Sequence, residues 1–192
     1  MVRAEPLPPP LRRIALLGGE SSGKTTLAQA LAQALGTLWV PEYGRQLWEE
    51  LRHTLTVAEL VQVARRQVAL EAETAARAAA PGVAWLVCDT TPLTTLQYCL
   101  HDHGQAPAEL LALASRPYDL SVVCLPDFGF VQDGCRRDDD FRAVQHAWTL
   151  ARLAERGVEP LRVQGTVAHR VQQVLQTLKP STPASAQPRS PA

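Results

Sequence analysis

Apolar and polar positions along this chain follow two alternating rhythms. Short apolar runs at 14–17, 37–40, 83–88, 120–125 and 161–163 read as buried strands. Between them, segments 24–35, 45–53, 57–79, 94–101, 107–115, 139–156 and 167–178 carry the longer helical period. Within 57–79 the ladder Val57, Leu60, Val61, Ala64, Val68 and Ala72 marks one apolar helix face. Strands alternating with helices predict βαβ units, hence an α/β fold with a parallel five-stranded sheet in a three-layer α/β/α sandwich. Ligands of such sheets bind beyond the carboxyl ends of the strands, so the chemistry is expected just after each apolar run.

Composition narrows the class. The chain has 192 residues, enough for one domain, with 19 basic and 19 acidic side chains. No overall basic excess favours nucleic acid or an anionic membrane. No apolar stretch reaches the length of a membrane span and the N-terminus lacks an apolar signal core, so a soluble, cytoplasmic protein is expected. Cys88, Cys99, Cys124 and Cys135 form no C-x-x-C pair, and three lie in apolar segments, which predicts reduced thiols in the core. Residues 1–11 read as a flexible proline-rich leader, 12–179 as the folded domain and 180–192 as a disordered proline-rich tail.

After the first apolar run comes Gly18-Gly19-Glu20-Ser21-Ser22-Gly23-Lys24-Thr25-Thr26, a G-x-x-x-x-G-K-T sequence opening a helix. Glycines let the backbone curl so that N–H groups converge on phosphate oxygens, and the helix start adds its positive dipole end. This strand–turn–helix context predicts a P-loop that binds a nucleoside triphosphate through Gly19, Glu20, Ser21, Ser22, Gly23, Lys24, Thr25 and Thr26. Lys24 reaches the β- and γ-phosphates and the Thr25 hydroxyl joins a Mg²⁺ shell.

The other strand ends supply acids and arginines. Glu42 follows the second run in Pro41-Glu42-Tyr43-Gly44-Arg45, placed to accept a proton from a substrate hydroxyl or to orient a sugar; the plainer reading is a loop acid favoured by a helix dipole. Asp89 follows the third, on the usual metal side of a P-loop, against the plainer reading of a helix cap. The fourth leads to a glycine-containing loop with Arg136 and Arg137. These either close over the nucleotide or pair with Asp138, Asp139 and Asp140. His101-Asp102-His103-Gly104 reads as a helix C-terminus rather than a metal site. Arg65, Arg66 and Gln67 are expected at the surface by default, although one of them could point into the cleft.

In order, Gly18–Thr25, Glu42-Tyr43-Gly44-Arg45, Asp89-Thr90-Thr91-Pro92-Leu93-Thr94-Thr95 and Val131-Gln132-Asp133-Gly134-Cys135-Arg136 resemble the NadR-type ribosylnicotinamide kinase family. The resemblance implies a nucleotide-kinase-like P-loop NTPase fold. It also implies ATP/Mg²⁺-dependent phosphorylation of the 5′-hydroxyl of nicotinamide riboside to nicotinamide mononucleotide, a step of NAD salvage. Its implied catalytic set is Lys24, Glu42, Asp89 and Arg136, with Thr25 and Asp89 at the metal. Glu42, Tyr43, Arg45 and Asp89 would face the riboside, and Arg136 the nucleotide from a lid. Tyr43 or Trp48 would stack on the pyridinium cation. The family commonly has Asp-Thr-Asp where this chain has Asp89-Thr90-Thr91. No His-x-Gly-His motif occurs, so the adenylyl transfer of larger relatives is not expected. The alternatives are a kinase for another nucleoside or nucleoside monophosphate, whose phosphate Arg45 with Arg65 or Arg66 could clamp, and a non-catalytic ATP-binding sensor.

Overall fold

The computed structural model describes residues 11–127 and 139–179. Twelve elements follow in the described residues: β1 (Arg12–Leu17), α1 (Lys24–Leu35), β2 (Trp39–Val40), α2 (Tyr43–Leu51), α3 (Val57–Ala78), β3 (Trp85–Asp89), α4 (Pro92–His103), α5 (Ala108–Ala114), β4 (Leu120–Cys124), α6 (Asp139–Glu155), β5 (Leu161–Val163) and α7 (Val167–Leu178). The strands form one parallel sheet in the order β2-β3-β1-β4-β5. The expected α/β/α architecture is the observed one.

Alternation along β1 divides the core. Ile14 and Leu16 face α1 and α7, packing with Leu27, Leu31 and Val174. Ala15 and Leu17 face the other way, into a cluster with Leu60, Ala64, Leu93, Leu96 and Leu153 of α3, α4 and α6. The sheet is therefore buried on both faces, which explains its continuous apolar runs. Because β1 is central, its carboxyl end is held from both sides: Leu16 pairs with Asp89 and Leu17 with Val123.

Element ends differ from the sequence pattern for local reasons. β1 starts at Arg12 because the strand stays paired with β3 below its apolar run, with the Arg12 guanidinium 3.9 Å over the Trp85 ring. β2 keeps only Trp39–Val40, as a sheet edge paired on one side. α2 starts two residues early because Gln67 of α3 accepts a hydrogen bond from the Tyr43 N–H at 3.1 Å. α4 starts at Pro92, with the Thr91 hydroxyl accepting from the Leu93 N–H. The face of α3 also differs. Val68 is half-buried and Ala72 exposed, and the buried stripe continues instead through Gln67, Glu71, Thr74 and Ala78. Two of these polar groups find partners: Gln67 bonds the Pro41 carbonyl and the Tyr43 N–H, and Glu71 accepts from the Tyr118 hydroxyl at 2.6 Å, with Arg13 and Arg116 nearby. Cys88, Cys99 and Cys124 are buried free thiols, and burial raises the Cys124 thiol to about 11. No described helix is long and apolar enough to cross a membrane.

Candidate active site

The turn between β1 and α1 is built around backbone that side chains obstruct. Gly18 has φ +131°, and a Cβ there would meet the Cys124 carbonyl oxygen at 2.7 Å. A Cβ at Gly19 would meet the Arg142 carbonyl oxygen at 2.6 Å, so α6 presses directly on the loop. Ser21 is also left-handed, at φ +52°, and Gly23 at +78° is the N-cap of α1. That cap has no side-chain hydrogen bond and the first turn of α1 has no acid. The donors that α3, α4 and α7 cap with a threonine hydroxyl are here left for an anion. Lys24 folds over the loop, its Nζ 3.1 Å from the Gly18 carbonyl oxygen and 2.8 Å from that of Gly19. The Ser22 hydroxyl donates to the Gly19 carbonyl at 2.7 Å. The Glu20 N–H donates to Gln145 Oε1 of α6 at 2.8 Å, and its carboxylate accepts from the Tyr98 hydroxyl at 2.6 Å.

Thr25 and Asp89 meet because β1 and β3 are neighbours. The Thr25 hydroxyl donates to Asp89 Oδ2 at 2.6 Å, while the buried Oδ1 has no hydrogen-bond partner among the described residues. Burial, followed by the nearby Glu42 carboxylate, raises the Asp89 pKa to about 6; Thr25, Lys24 and Arg45 pull against the rise. A buried acid with one orphaned oxygen beside a hydroxyl fits a hard divalent cation, which would take both oxygens and favour the ionised form.

A cavity of about 480 Å³ opens beside this pair, lined by the P-loop, α2, α3, α4 and α6. Glu42 stands on its wall, 3.6 Å from Arg45, which also lines it. Trp48 lines the cavity, whereas Tyr43 does not and instead packs against the core. Gln67 is 1% exposed, a correction to its expected surface position. Its amide brackets Glu42, donating to the Pro41 carbonyl at 3.2 Å and accepting from the Tyr43 N–H at 3.1 Å. Arg65 and Arg66 stay outside this cavity, paired with Glu109 and Glu73 on the exposed side of α3. His103 does not face a metal ligand set: its Nε2 lies 2.9 Å from the Leu55 carbonyl oxygen, and Gly104 closes α4 in the left-handed conformation.

Arg136 lies outside the described residues, but both sides of its segment reach the P-loop. Before it, Asp127 pairs with Arg170, a fully buried α7 residue that also donates to the Ser22 carbonyl at 2.6 Å and the Leu125 carbonyl at 3.0 Å. After it, α6 supplies Arg142 and Gln145. Tyr98, Gln145 and Arg170 carry no signal in the sequence pattern, and Gln67 is only one of three candidates for the cleft. Each sits mid-helix, distant in sequence from what it holds.

Fold and site together define a P-loop domain of the nucleoside- and nucleotide-kinase architecture. The profile described as AAA domain matches residues 13–170, and the chain belongs to that family. Among solved structures, NadR in complex with NR superposes with a TM-score of 0.65 at 20% identity, covering 87% of this chain and 51% of that one. NadR in complex with NAD and AMP-PNP gives 0.64 at 18%, with 87% and 49% covered. Thymidylate kinase from Ehrlichia chaffeensis gives 0.61 at 14%, with 89% and 100% covered. The chain thus spans about half the length of the NadR chains it matches. At these identities the likeness is one of fold.

Proposed function

We propose that residues 12–179 form an ATP- and Mg²⁺-dependent kinase acting on the 5′-hydroxyl of a nucleoside, with nicotinamide riboside as the acceptor. The observation that carries this reading is the placement of Glu42 across one cavity from Lys24, near the Thr25–Asp89 pair. Lys24 exchanges the Gly18 and Gly19 carbonyls for phosphate oxygens. Thr25 and Asp89 would hold Mg²⁺, which when bound would neutralise charge on the phosphoryl oxygens. Glu42, half a step from solvent and braced by Arg45, accepts the proton of the acceptor hydroxyl. Arg136 would supply positive charge to the nucleotide, as the resemblance implies.

Charge supports an acceptor without a phosphate. Among the described residues the cavity is lined by Glu20, Glu42 and Asp102 against Lys24 and Arg45. Lys24 serves the triphosphate and Arg45 lies against Glu42, while Arg65 and Arg66 are directed elsewhere. A monophosphate acceptor would place two negative charges among these acids, and of the described arginines only Arg45, beside Glu42, lines the cavity to meet them. A cationic riboside suits them, with Trp48 as the aromatic face. The test is a purified-protein assay with ATP, Mg²⁺ and a panel of nucleosides and nucleoside monophosphates, with product masses recorded. Turnover of nicotinamide riboside is expected. Turnover of monophosphates alone would replace this acceptor, and ATP binding without any phosphorylated product would leave a sensor.

A further inference from the structure

Thr90, one residue beyond the metal-side acid, is the least comfortable residue of the site. It has φ +75°, a conformation in which a β-branched side chain is strained. The turn holds it there: its N–H donates to the Leu16 carbonyl at 3.1 Å, and Thr91 next to it caps α4. Thr90 is 4% exposed and lines the 480 Å³ cavity, yet its buried hydroxyl has no hydrogen-bond partner among the described residues. A strained backbone and an unsatisfied buried hydroxyl each oppose folding. Both make sense if the hydroxyl is reserved for a ligand.

We infer that Thr90 is a specificity residue whose hydroxyl hydrogen-bonds a sugar hydroxyl of the acceptor. The assignment rests on the kinase reading above. The geometry that carries it is its own: Thr90 lines the same cavity as Glu42 and its buried hydroxyl is unpartnered among the described residues, whereas the Thr91 hydroxyl accepts from its own helix and Thr91 lines a separate cavity with Arg116 and Arg156. A hydroxyl both donates and accepts, so it matches a sugar hydroxyl whichever way that group's proton points. A site built to make such a bond loses affinity for any acceptor that cannot complete it.

Steady-state kinetics with nicotinamide riboside, ATP and Mg²⁺ test it on wild type, Thr90→Val, Thr90→Ser and Thr90→Gly. Thr90→Val keeps the shape and removes the hydroxyl, and the acceptor KM should rise about tenfold while the ATP KM and the Mg²⁺ requirement stay put. Thr90→Ser should recover most of that loss. Thr90→Gly should lose acceptor affinity in the same way yet melt about 2–4 °C higher without ligands, because glycine relieves the strain. An unchanged acceptor KM in Thr90→Val, or a raised Mg²⁺ requirement in its place, overturns the assignment while the kinase reading stands. A wild-type protein that phosphorylates no nucleoside overturns both.

Discussion

The N-termini of α1 and α3 solve the same physical problem in opposite ways. α3 closes its first turn with a full capping box: the Glu59 N–H donates to the Thr56 hydroxyl at 3.3 Å, and the Thr56 N–H donates to the Glu59 carboxylate at 2.8 Å. α1 starts on a left-handed glycine, with no side-chain cap and no acid in its first turn. One helix start spends its donors on its own stability. The other keeps them open, with Lys24 parked on loop carbonyls beside them. A region that withholds local stabilisation is where a ligand is expected, and the same reasoning separates Thr90 from Thr91 at the next strand end.

The strongest way to break the contrast is Lys24→Ala. Phosphoryl transfer should fall on the order of 10³-fold, while folding is unaffected by loss of a contact that serves the ligand; product formation and thermal melting measured together check both halves. Equal turnover in variant and wild type would sink the assignment of the loop.

Asp89→Asn should also cost about 10²–10³-fold in turnover, but it should raise stability. The Asp89 pKa in the fold, about 6, lies above the ordinary 3.8, so the fold binds this proton more tightly than the unfolded chain does. That contribution is present below the unfolded pKa and is lost as pH rises through about 6. Ligand-free Asp89→Asn should therefore melt above wild type at pH 8 and level with it near pH 4. Wild-type affinity for the Mg²⁺–nucleotide should weaken as pH drops below about 6, because protonation competes with the cation. A variant that melts lower at pH 8 contradicts this account of the site.

Gln67→Met sharpens the comparison on the acceptor side. With both hydrogen bonds to the Glu42 loop removed and volume kept, kcat should fall about tenfold with the ATP KM unchanged. In a Glu42→Ala background the same change should do almost nothing, since the two residues act as one unit. Additive losses would show that Gln67 acts apart from Glu42. The smallest effect belongs to the self-capped helix: Thr56→Ala should cost about 1 kcal/mol, a fall in Tm of about 2–4 °C, with kinetic constants unmoved.

Much of the fold was legible because each strand is a short apolar run and each helix carries its own period. Among the described residues the five strands and seven helices fall where the pattern puts them, with ends shifted by at most two residues where a cap or a neighbouring element intervenes. The phosphate loop was legible for a related reason: its glycines, lysine and threonine are contiguous, so spacing alone encodes geometry. Gln67 was hidden because it interrupts an apolar ladder with a polar side chain, which pattern reads as surface. Its partners, Pro41 and Tyr43, lie 26 and 24 residues away. Arg170 was hidden more deeply, since it binds Ser22 across 148 residues.

The Asp-Thr-Asp departure shows what only tertiary structure decides. In sequence, Thr91 is a missing carboxylate beside a metal ligand. In space its side chain caps α4, a role that Thr and Asp share, and it turns away from the cavity that Glu42 lines. Sequence by itself determined the sheet, the P-loop and the acids at the strand ends, because local pattern and contiguous motif carry that information. Tertiary structure decided which residues share a cavity, that Asp89 is buried with one oxygen unpaired among the described residues, and that Thr90 rather than Thr91 lines the cavity with Glu42. Those properties arise from elements far apart in the chain, and only their packing sets burial and direction.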